Sequence, residues 1–317
     1  MTTTVTDTPQ HSAEPTPLLV ERLCPVCGSA DREGPLSREG EFALVRCRVC
    51  RMLYTHAVRS VEAKTAFYQR LAEQREDTTT ALNPAHYGLA NQIKSCRLYD
   101  RVLTSIRDAF PSGDVHLVDV GCAGGLLLLA AQVVEDGYNC GTAPRFKVRG
   151  ISIDPREQRE TERNVGCPVE TPERAAEMWA GWADVVTAMN TLEHVNDPRH
   201  MLAGLRAVLR PGGQCIIDVP NNYVLERRAA VQGRWPLLDI GEHINHFVPA
   251  TLDRLMVESG FVAVERLPGL LRGVESLGVR PSMPQIVRWA GARVVMAMTR
   301  GGVQAFPHMT MVYRRRD

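Results

Sequence analysis

From Leu117 onward, short apolar runs alternate with helical stretches, and this alternation is the strongest constraint on the fold. The strand-like runs fall at 116–120, 148–153, 183–189, 213–220, 261–267 and 308–314. Helical patterns lie between them, at Leu126–Glu135, Glu157–Asn164, Pro198–Leu209 and Pro249–Ser259. Strands and helices that alternate at this spacing form a mostly parallel sheet with right-handed crossovers. We therefore predict an α/β domain built on such a sheet.

The length of 317 residues allows one large domain and a small appendage. We expect a disordered leader at 1–20, a compact Cys-rich unit at 21–60, a mainly helical segment or lid at 61–113 and the α/β domain at 114–317. The leader is polar and lacks the basic and apolar regions of a secretory signal. The longest apolar run, Leu126–Val134, is too short to span a bilayer. These features predict a cytoplasmic protein.

Charge and cysteine usage narrow the class of partner. The net charge is +1, which indicates no basic surface for nucleic acid or for an anionic membrane. Of the nine cysteines, four form two tight pairs and five are scattered through predicted elements. That pattern fits a reduced compartment better than a disulfide framework. We expect a small-molecule partner, no nucleic acid and no membrane, and the sequence does not indicate the oligomeric state.

Two C-x2-C pairs separated by nineteen residues predict a metal site. Two such turns can present four thiolates to one point, which is the tetrahedral arrangement that zinc prefers. Gly28 follows the first pair, as a tight turn requires, and Arg51 takes the equivalent place in the second. Four thiolates leave no open coordination position, so we expect a structural Zn²⁺ that holds the fold and does no chemistry. The predicted ligands are Cys24, Cys27, Cys47 and Cys50.

A glycine-rich turn follows the first predicted strand of the α/β domain and reads DVGCAGG over 119–125. A nucleotide cofactor at the carboxyl edge of a parallel sheet needs small residues there, because the backbone must approach the ligand closely. A dinucleotide fingerprint would place Leu126 at its third small position, and the sequence has no G-x-x-x-x-G-K-[ST] phosphate loop. Asp119, two residues before the first glycine, suits a cationic or amino-bearing ligand better than a pyrophosphate.

This turn and three later segments resemble the class I S-adenosylmethionine-dependent methyltransferases. The first motif of that family reads hydrophobic–acidic–x–Gly–x–Gly–x–Gly, and the turn matches it with Ala123 at the middle glycine. ADVVTAMNTLEHVNDP resembles the fourth-strand segment, LRPGGQCIIDVPN the entry to the fifth strand, and EHINHFVPATLDRLMVESGF the lid and helix that follow. The resemblance covers about residues 85–315. It implies a Rossmann-like fold with a mostly parallel seven-stranded sheet, S-adenosylmethionine as cofactor and methyl transfer as the reaction.

The same resemblance implies which residues hold the cofactor. The family usually ends its second strand with an acidic residue on the ribose hydroxyls, and here that position falls on Ser152, with Asp154 two residues later. A serine hydroxyl can donate to or accept from a ribose, with help from Asp154 or Gln158. The other implied contacts are the carboxyl group of Asp119, the backbone of Gly121, Cys122 and Gly125 and, near the methionine half, Asn190.

Methyl transfer needs an acceptor aligned with the methyl group and often a base that removes its proton. Candidate bases are Glu193 and His194 after the fourth strand, and Glu242, His243 and His246 before the late helix. An acid beside a histidine can orient it or tune its pKa, which favours the Glu242–His243 pair. The plainer interpretations are that His194 caps a turn and that His246 packs in the core.

A four-cysteine zinc unit joined to this core resembles the deoxysugar C-methyltransferases of antibiotic biosynthesis. In that group a late Glu-His pair, a histidine after the fourth strand and an upstream tyrosine surround the reacting carbon. Glu242–His243, His194 and Tyr87 fall at matching places. The likeness implies catalytic roles for these residues, with deprotonation of a carbon beside a ketone and attack of the enolate on the methyl group. Ile240 departs from the group, which has a tyrosine before the Glu-His pair.

We therefore expect a small-molecule methyltransferase that acts on a carbon acid or, as near alternatives, on oxygen or nitrogen. A different class is a non-catalytic protein whose methyltransferase fold is vestigial and whose zinc unit binds partners. Asp119, the glycine turn and the Glu242–His243 pair argue against that class. Nucleic-acid methylation would need a basic surface that the net charge does not indicate. Fold and cofactor do not by themselves identify the acceptor.

Overall fold

The computed structural model describes residues 19–73, 99–137, 145–223, 240–267 and 308–317, with isolated positions between 290 and 298. Most of the expected leader, and Tyr87, lie outside these residues. Within the described ranges, no helix has both the length and the apolar character needed to cross a bilayer.

The described chain begins with short antiparallel strands around the paired cysteines. These strands are β1 (Leu19–Glu21), β2 (Arg32–Glu39), β3 (Phe42–Cys47), β4 (Leu53–Thr55) and β5 (Ala57–Arg59). β1 pairs with β5, while β2, β3 and β4 form an antiparallel meander. Two helices follow, α1 (Val61–Glu73) and α2, whose described part is 99–109. α2 buries Val102, Leu103 and Ile106 in the core cluster under the main sheet.

The α/β domain contains the predicted sheet. Its strands in chain order are β6 (Asp114–Val120), β7 (Arg145–Ile151), β8 (Val169–Glu170), β9 (Ala183–Met189), β10 (Leu209–Pro220), β11 (Asn245–His246), β12 (Phe261–Leu267) and β13 (His308–Arg315). All except β11 form one sheet in the order β12–β13–β10–β9–β6–β7–β8. The strands from β10 to β8 run parallel, whereas β13 is antiparallel to both β10 and β12. The prediction of a Rossmann-like, seven-stranded sheet is therefore confirmed.

Four of the five α-helices described in full after β6 begin at a proline, and the sequence predicted two of these starts, Pro198 and Pro249. The five helices are α3 (Leu126–Gly137), α4 (Pro155–Val165), α5 (Pro172–Met178), α6 (Pro198–Val208) and α7 (Pro249–Glu258). Proline suits the first helical position because its φ is already helical and its missing N–H would have no helical partner there. α4 starts two residues before the predicted Glu157, because Asp154 caps it by accepting from the Arg156 N–H. The short pair β8 and α5 was not predicted.

The Cys-rich unit and the α/β domain share one hydrophobic core. Met52 and Tyr54, beside the second cysteine pair, are buried in the same cluster as Leu192 and Phe247 of the α/β domain. β11 extends the small antiparallel sheet by pairing with β4. The segment that carries the Glu242–His243 pair is thereby held against the N-terminal strands.

Arg22 crosses this junction and places its guanidinium inside it. The guanidinium donates to the carbonyl oxygens of Thr55, Asn196 and Ile244 and to the side-chain oxygen of Asn245. Burial lowers the pKa of Arg22 to about 10, so the group stays charged at neutral pH. A buried cation needs such a set of acceptors, because desolvation of a charge without hydrogen bonds is costly.

Replacement of Arg22 by alanine should destabilise the protein strongly, because four oxygen atoms of the junction would lose a donor. We expect a loss of at least about 3 kcal/mol in the free energy of unfolding, measured by urea denaturation. Arg48→Ala is the control, since Arg48 is exposed and pairs with Asp31 at the surface at 3.5 Å. Such a pair contributes roughly 0–1 kcal/mol. Similar losses for the two variants would contradict the assigned role of Arg22.

Candidate functional site

The carboxyl ends of β6, β7 and β9 meet at the centre of the sheet. From β6 the chain proceeds outward through β7 to β8, and it then returns to the other side of β6 to place β9 and β10. A crevice forms where the strand order reverses, and ligands of open α/β sheets bind outside the strand ends at that point. The predicted cofactor residues lie on these three strand ends.

The glycine turn after β6 has left-handed backbone at Gly121 (φ 70°), Ala123 (φ 47°) and Gly125 (φ 81°). A Cβ on Gly121 would lie 2.4 Å from the hydroxyl oxygen of Thr191, and one on Gly125 would lie 2.5 Å from Val165. From the sequence, both glycines are predicted to let the backbone approach a ligand closely. The structure shows that they also let the turn pack against the segment after β9 and against α4, while Gly121 itself stays exposed in the crevice.

Asp119 and Cys122 of the same motif are buried beneath the turn. The Thr187 hydroxyl donates to the Asp119 carboxylate at 2.7 Å. Burial raises the pKa of Asp119 to about 7, with the Thr187 hydrogen bond opposing the shift. Cys122 packs its thiol 3.7 Å from the Thr161 hydroxyl, and burial raises its pKa well above the usual range. The thiol is therefore protonated and inert, and Cys122 can meet a ligand through its backbone.

At the end of β7, a serine contacts an acidic residue from the first turn of α4. The Ser152 hydroxyl donates to a Glu157 carboxylate oxygen at 2.6 Å, and burial raises the pKa of Glu157. Asp154 instead uses its carboxylate to cap α4, and Gln158 donates to the Ser152 carbonyl oxygen at 2.7 Å. Sequence reasoning named Ser152, Asp154 and Gln158 but missed Glu157, which is brought to Ser152 by the first turn of α4.

Asn190 follows β9 with left-handed backbone (φ 52°) and an exposed side chain. Its N–H donates to the Asp218 carbonyl oxygen on β10 at 2.9 Å, which fixes its position at the rim of the crevice. A short 3-10 turn, Leu192–His194, comes next. This turn carries the chain from the cofactor crevice towards the segment around Glu242 and His243.

The rings of His194 and His243 contact each other where this turn meets that segment. Their ring centroids are 4.7 Å apart in an edge-to-face arrangement, and His194 Nδ1 lies 2.9 Å from the Glu242 carbonyl oxygen. A carbonyl oxygen only accepts, so Nδ1 carries the proton in this tautomer. Burial, followed by the charge of His243, lowers the pKa of His194 to about 4. His194 is therefore neutral at physiological pH, and the structure does bring together three of the four predicted catalytic residues.

Glu193 lies beside these histidines and is 1% exposed. Neither of its carboxylate oxygens has a hydrogen-bond partner among the described residues. Burial raises the pKa of Glu193 to about 8. One ligand-type atom from each of Glu193, His194 and His243 lies within 4.8 Å of the others. His246 is further inside, in β11, and burial lowers its pKa to about 3.

Two cations that sequence reasoning missed support this cluster from the N-terminal segment. Arg59 pairs with the Glu242 carboxylate at 3.1 Å, and its guanidinium stacks on the Phe42 ring. Lys64 of α1 donates to the His194 carbonyl oxygen, and burial lowers its pKa to about 8. No local motif marks either residue, because their partners are more than 100 positions away in the chain.

Ile240, the residue that departs from the deoxysugar group, belongs to the core. It packs with Phe42, Leu44 and Leu53 of the small sheet. Its carbonyl oxygen accepts from the Thr55 hydroxyl at 2.6 Å. This position therefore anchors the loop to the N-terminal unit.

The four paired cysteines converge as the sequence predicted. Their sulfur atoms all lie within 4.8 Å of one another, with Cys24 and Cys50 at 3.4 Å and Cys27 and Cys47 at 3.5 Å. Gly28 and Arg51 both adopt left-handed backbone (φ 70° and 66°), so the two knuckles turn alike despite the different residues. Four converging thiols in two similar turns supply the donor set of a closed zinc site.

Comparison with known proteins identifies the class. Residues 67–266 match the family model described as a methyltransferase domain, so the chain belongs to that family. It is 34% identical over 153 residues to a ubiquinone biosynthesis O-methyltransferase of Psychrobacter arcticus. The aligned region covers 46% of this chain and 58% of that protein. The protein of the same name from Ralstonia nicotianae is 28% identical over 216 residues, 66% of this chain and 82% of its own length. The chain thus spans little more than half the length of the first of these relatives.

A solved structure supports the fold. A methyltransferase from Thermotoga maritima, described as a possible histamine N-methyltransferase, has a TM-score of 0.50 and 15% identity, covering 79% of this chain and 99% of its own. At that identity the likeness shows the fold alone. The family match places the chain in the methyltransferase-domain family, and the solved structure agrees with it in fold.

The glycine turn allows a sharp test of the cofactor crevice. Gly121 and Gly181 have similar positive φ values, 70° and 67°, but a Cβ on Gly181 would meet no atom of the described residues within 4 Å. Gly181→Ala should therefore cost only backbone strain, about 1–2 kcal/mol. Gly121→Ala adds the collision with Thr191, so we expect a larger drop in melting temperature and at least a tenfold loss of S-adenosylmethionine affinity by calorimetry. Equal effects of the two substitutions would contradict this account of the turn.

Proposed function

We propose that the protein methylates a small organic acceptor at an atom that must lose a proton, with Glu242, His243, His194 and Tyr87 around that atom. The observation that carries the proposal is the contact of His194 with the Glu242–His243 segment just beyond the end of β9. Asn190, four residues before His194, borders the cofactor crevice at the end of the same strand. A base in this place would be close to the methyl group that the substrate must attack.

The residues proposed to bind the cofactor lie at or just after the ends of the strands. Bound S-adenosylmethionine supplies a methyl group on a positively charged sulfur. Gly121, Cys122 and Gly125 would offer backbone to it, and Asn190 would contact its methionine half. Ser152 and Glu157 form the polar pair at the ribose position, where Asp154 acts through its cap of α4. The buried Asp119 would hold the turn through Thr187.

The Glu242–His243 pair would take up the proton of the acceptor. Arg59 fixes the Glu242 carboxylate, and the Glu242 carbonyl oxygen fixes the tautomer of His194. His194 is neutral because burial lowers its pKa to about 4, so it does not repel a cationic cofactor. These contacts orient the groups at the reacting atom.

Oxygen is the first acceptor atom that we propose, because the curated relatives bear the name ubiquinone biosynthesis O-methyltransferase. Carbon beside a carbonyl is the second, favoured by the Glu242–His243, His194 and Tyr87 pattern of the deoxysugar C-methyltransferases. Both atoms must lose a proton, so both fit the same cluster. The second candidate would place the enzyme in secondary metabolism, and nitrogen is a further alternative.

His243→Ala should leave S-adenosylmethionine affinity unchanged by calorimetry and lower turnover by about 10²–10⁴-fold. His200→Ala is the matched control, because His200 is exposed on α6. Turnover is followed as formation of S-adenosylhomocysteine with phenols, enolisable ketones and amines as acceptors. Full activity of His243→Ala would refute its role, and failure of the native protein to bind the cofactor would favour a vestigial fold.

We also propose that Cys24, Cys27, Cys47 and Cys50 hold a structural Zn²⁺. The convergence of their sulfur atoms supports this, as does the burial of Cys24 and Cys47 in the shared core. Four thiolates would close the coordination sphere.

Cys47→Ala should lose the bound zinc, about one equivalent for a closed site, and should lower both solubility and melting temperature. Cys215→Ala is the control, since Cys215 is buried in β10 and is not one of the four converging cysteines. Zinc content is measured by atomic absorption. Equal zinc in both variants would rule out the proposed ligands.

A further inference from the structure

We infer that Glu193, His194 and His243 bind one divalent transition-metal cation that holds an oxygen atom of the acceptor. The inference rests on the proposed function and changes one part of it, because His243 would act as a ligand and not as the proton acceptor. The site is separate from the four-cysteine cluster in residues and in donor type.

The donor set has the right chemistry and spacing. Two imidazole nitrogens and one carboxylate oxygen, all within 4.8 Å of one another, can converge on one ion with small side-chain movements. Imidazole and carboxylate together suit zinc, manganese, iron or cobalt. Three protein ligands leave positions open for an oxygen atom of a bound molecule.

Glu193 gives the independent second observation. Its side chain is buried, and both oxygens lack a hydrogen-bond partner among the described residues. A buried polar group without a partner is costly, and a cation bound at this point would satisfy it.

The tautomer of His194 also matches that of a metal ligand. Its Nδ1–H donates to the Glu242 carbonyl oxygen, which leaves Nε2 with the lone pair. Metal-binding histidines commonly donate their other ring N–H to a carbonyl or carboxylate in this way. The turn is held on both sides, because the Ile244 N–H donates to the Glu193 carbonyl oxygen and Lys64 donates to that of His194.

The surrounding charges are compatible with one more cation. Arg59 is neutralised by Glu242, and Lys64 points its ammonium at the His194 carbonyl oxygen and at Asn196. Binding of the ion would release the proton that Glu193 holds at neutral pH, and the carboxylate would then balance part of the charge of the ion.

A bound cation would ease loss of the acceptor's proton. It would coordinate the hydroxyl oxygen, or the carbonyl oxygen beside a carbon acid, and lower the pKa of that group. The proton leaves to solvent, and the acceptor's electron pair forms the new bond to the methyl carbon. The sulfur–methyl bond breaks with its electrons on sulfur, which yields S-adenosylhomocysteine.

The test is cobalt binding to the full chain after dialysis against a weak chelator that leaves the cysteine site loaded. We expect about one equivalent of Co²⁺ with visible bands and without thiolate charge-transfer bands. Glu193→Gln keeps the shape of the side chain and should weaken cobalt binding at least tenfold, whereas His200→Ala should not. Circular dichroism and S-adenosylmethionine binding establish that each variant is folded.

Three outcomes would overturn the inference: no cobalt bound, cobalt bound equally by Glu193→Gln, or full turnover of the dialysed protein. The last result would leave the proposed function standing. Loss of cofactor binding or of methyl transfer with cobalt binding intact would count against the proposed function and not against the metal site.

Discussion

The cluster proposed to face the acceptor depends on one buried side chain, Asn245. Its amide donates to the carbonyl oxygens of Leu192 and Val195 at 2.9 and 2.7 Å, and its oxygen accepts from Arg22. The amide therefore joins both ends of the turn that carries Glu193 and His194 to the N-terminal unit. Because these groups are buried, loss of any one hydrogen bond would leave a desolvated polar group without a partner, which is costly. The position of His194 against His243 follows from this contact.

The cysteine cluster supports the same junction from the other side. The Cys47 N–H donates to the Met52 carbonyl oxygen, so the second knuckle leads directly into β4. β4 in turn pairs with β11, which contains Asn245. A structural metal in the knuckles would thus stiffen the wall on which the Glu242–His243 segment rests, without any contact to the reacting atom.

The strand ends that carry the proposed cofactor residues could be located from the sequence, because the apolar runs mark the strands. Asp119, Ser152 and Asn190 each lie at the end of a strand, and parallel strands bring such ends together. Glu157 was missed because its position depends on where α4 begins, and the Asp154 cap shifted that start. Arg59 and Lys64 were missed because single charged residues usually lie at the surface.

The residues of the cofactor half lie close together in the chain, and those of the acceptor half lie far apart. This difference explains why the sequence predicts a cofactor but not an acceptor. The cofactor half uses consecutive strand ends with short, recognisable turns. The acceptor half joins 59–64, 193–196 and 240–246, which meet only through tertiary contacts such as the Asn196 amide to the Arg59 carbonyl oxygen at 2.8 Å. A substitution in any one segment can alter the proposed acceptor site while the cofactor motif stays intact. Relatives with the same motif can therefore differ in the atom that they methylate.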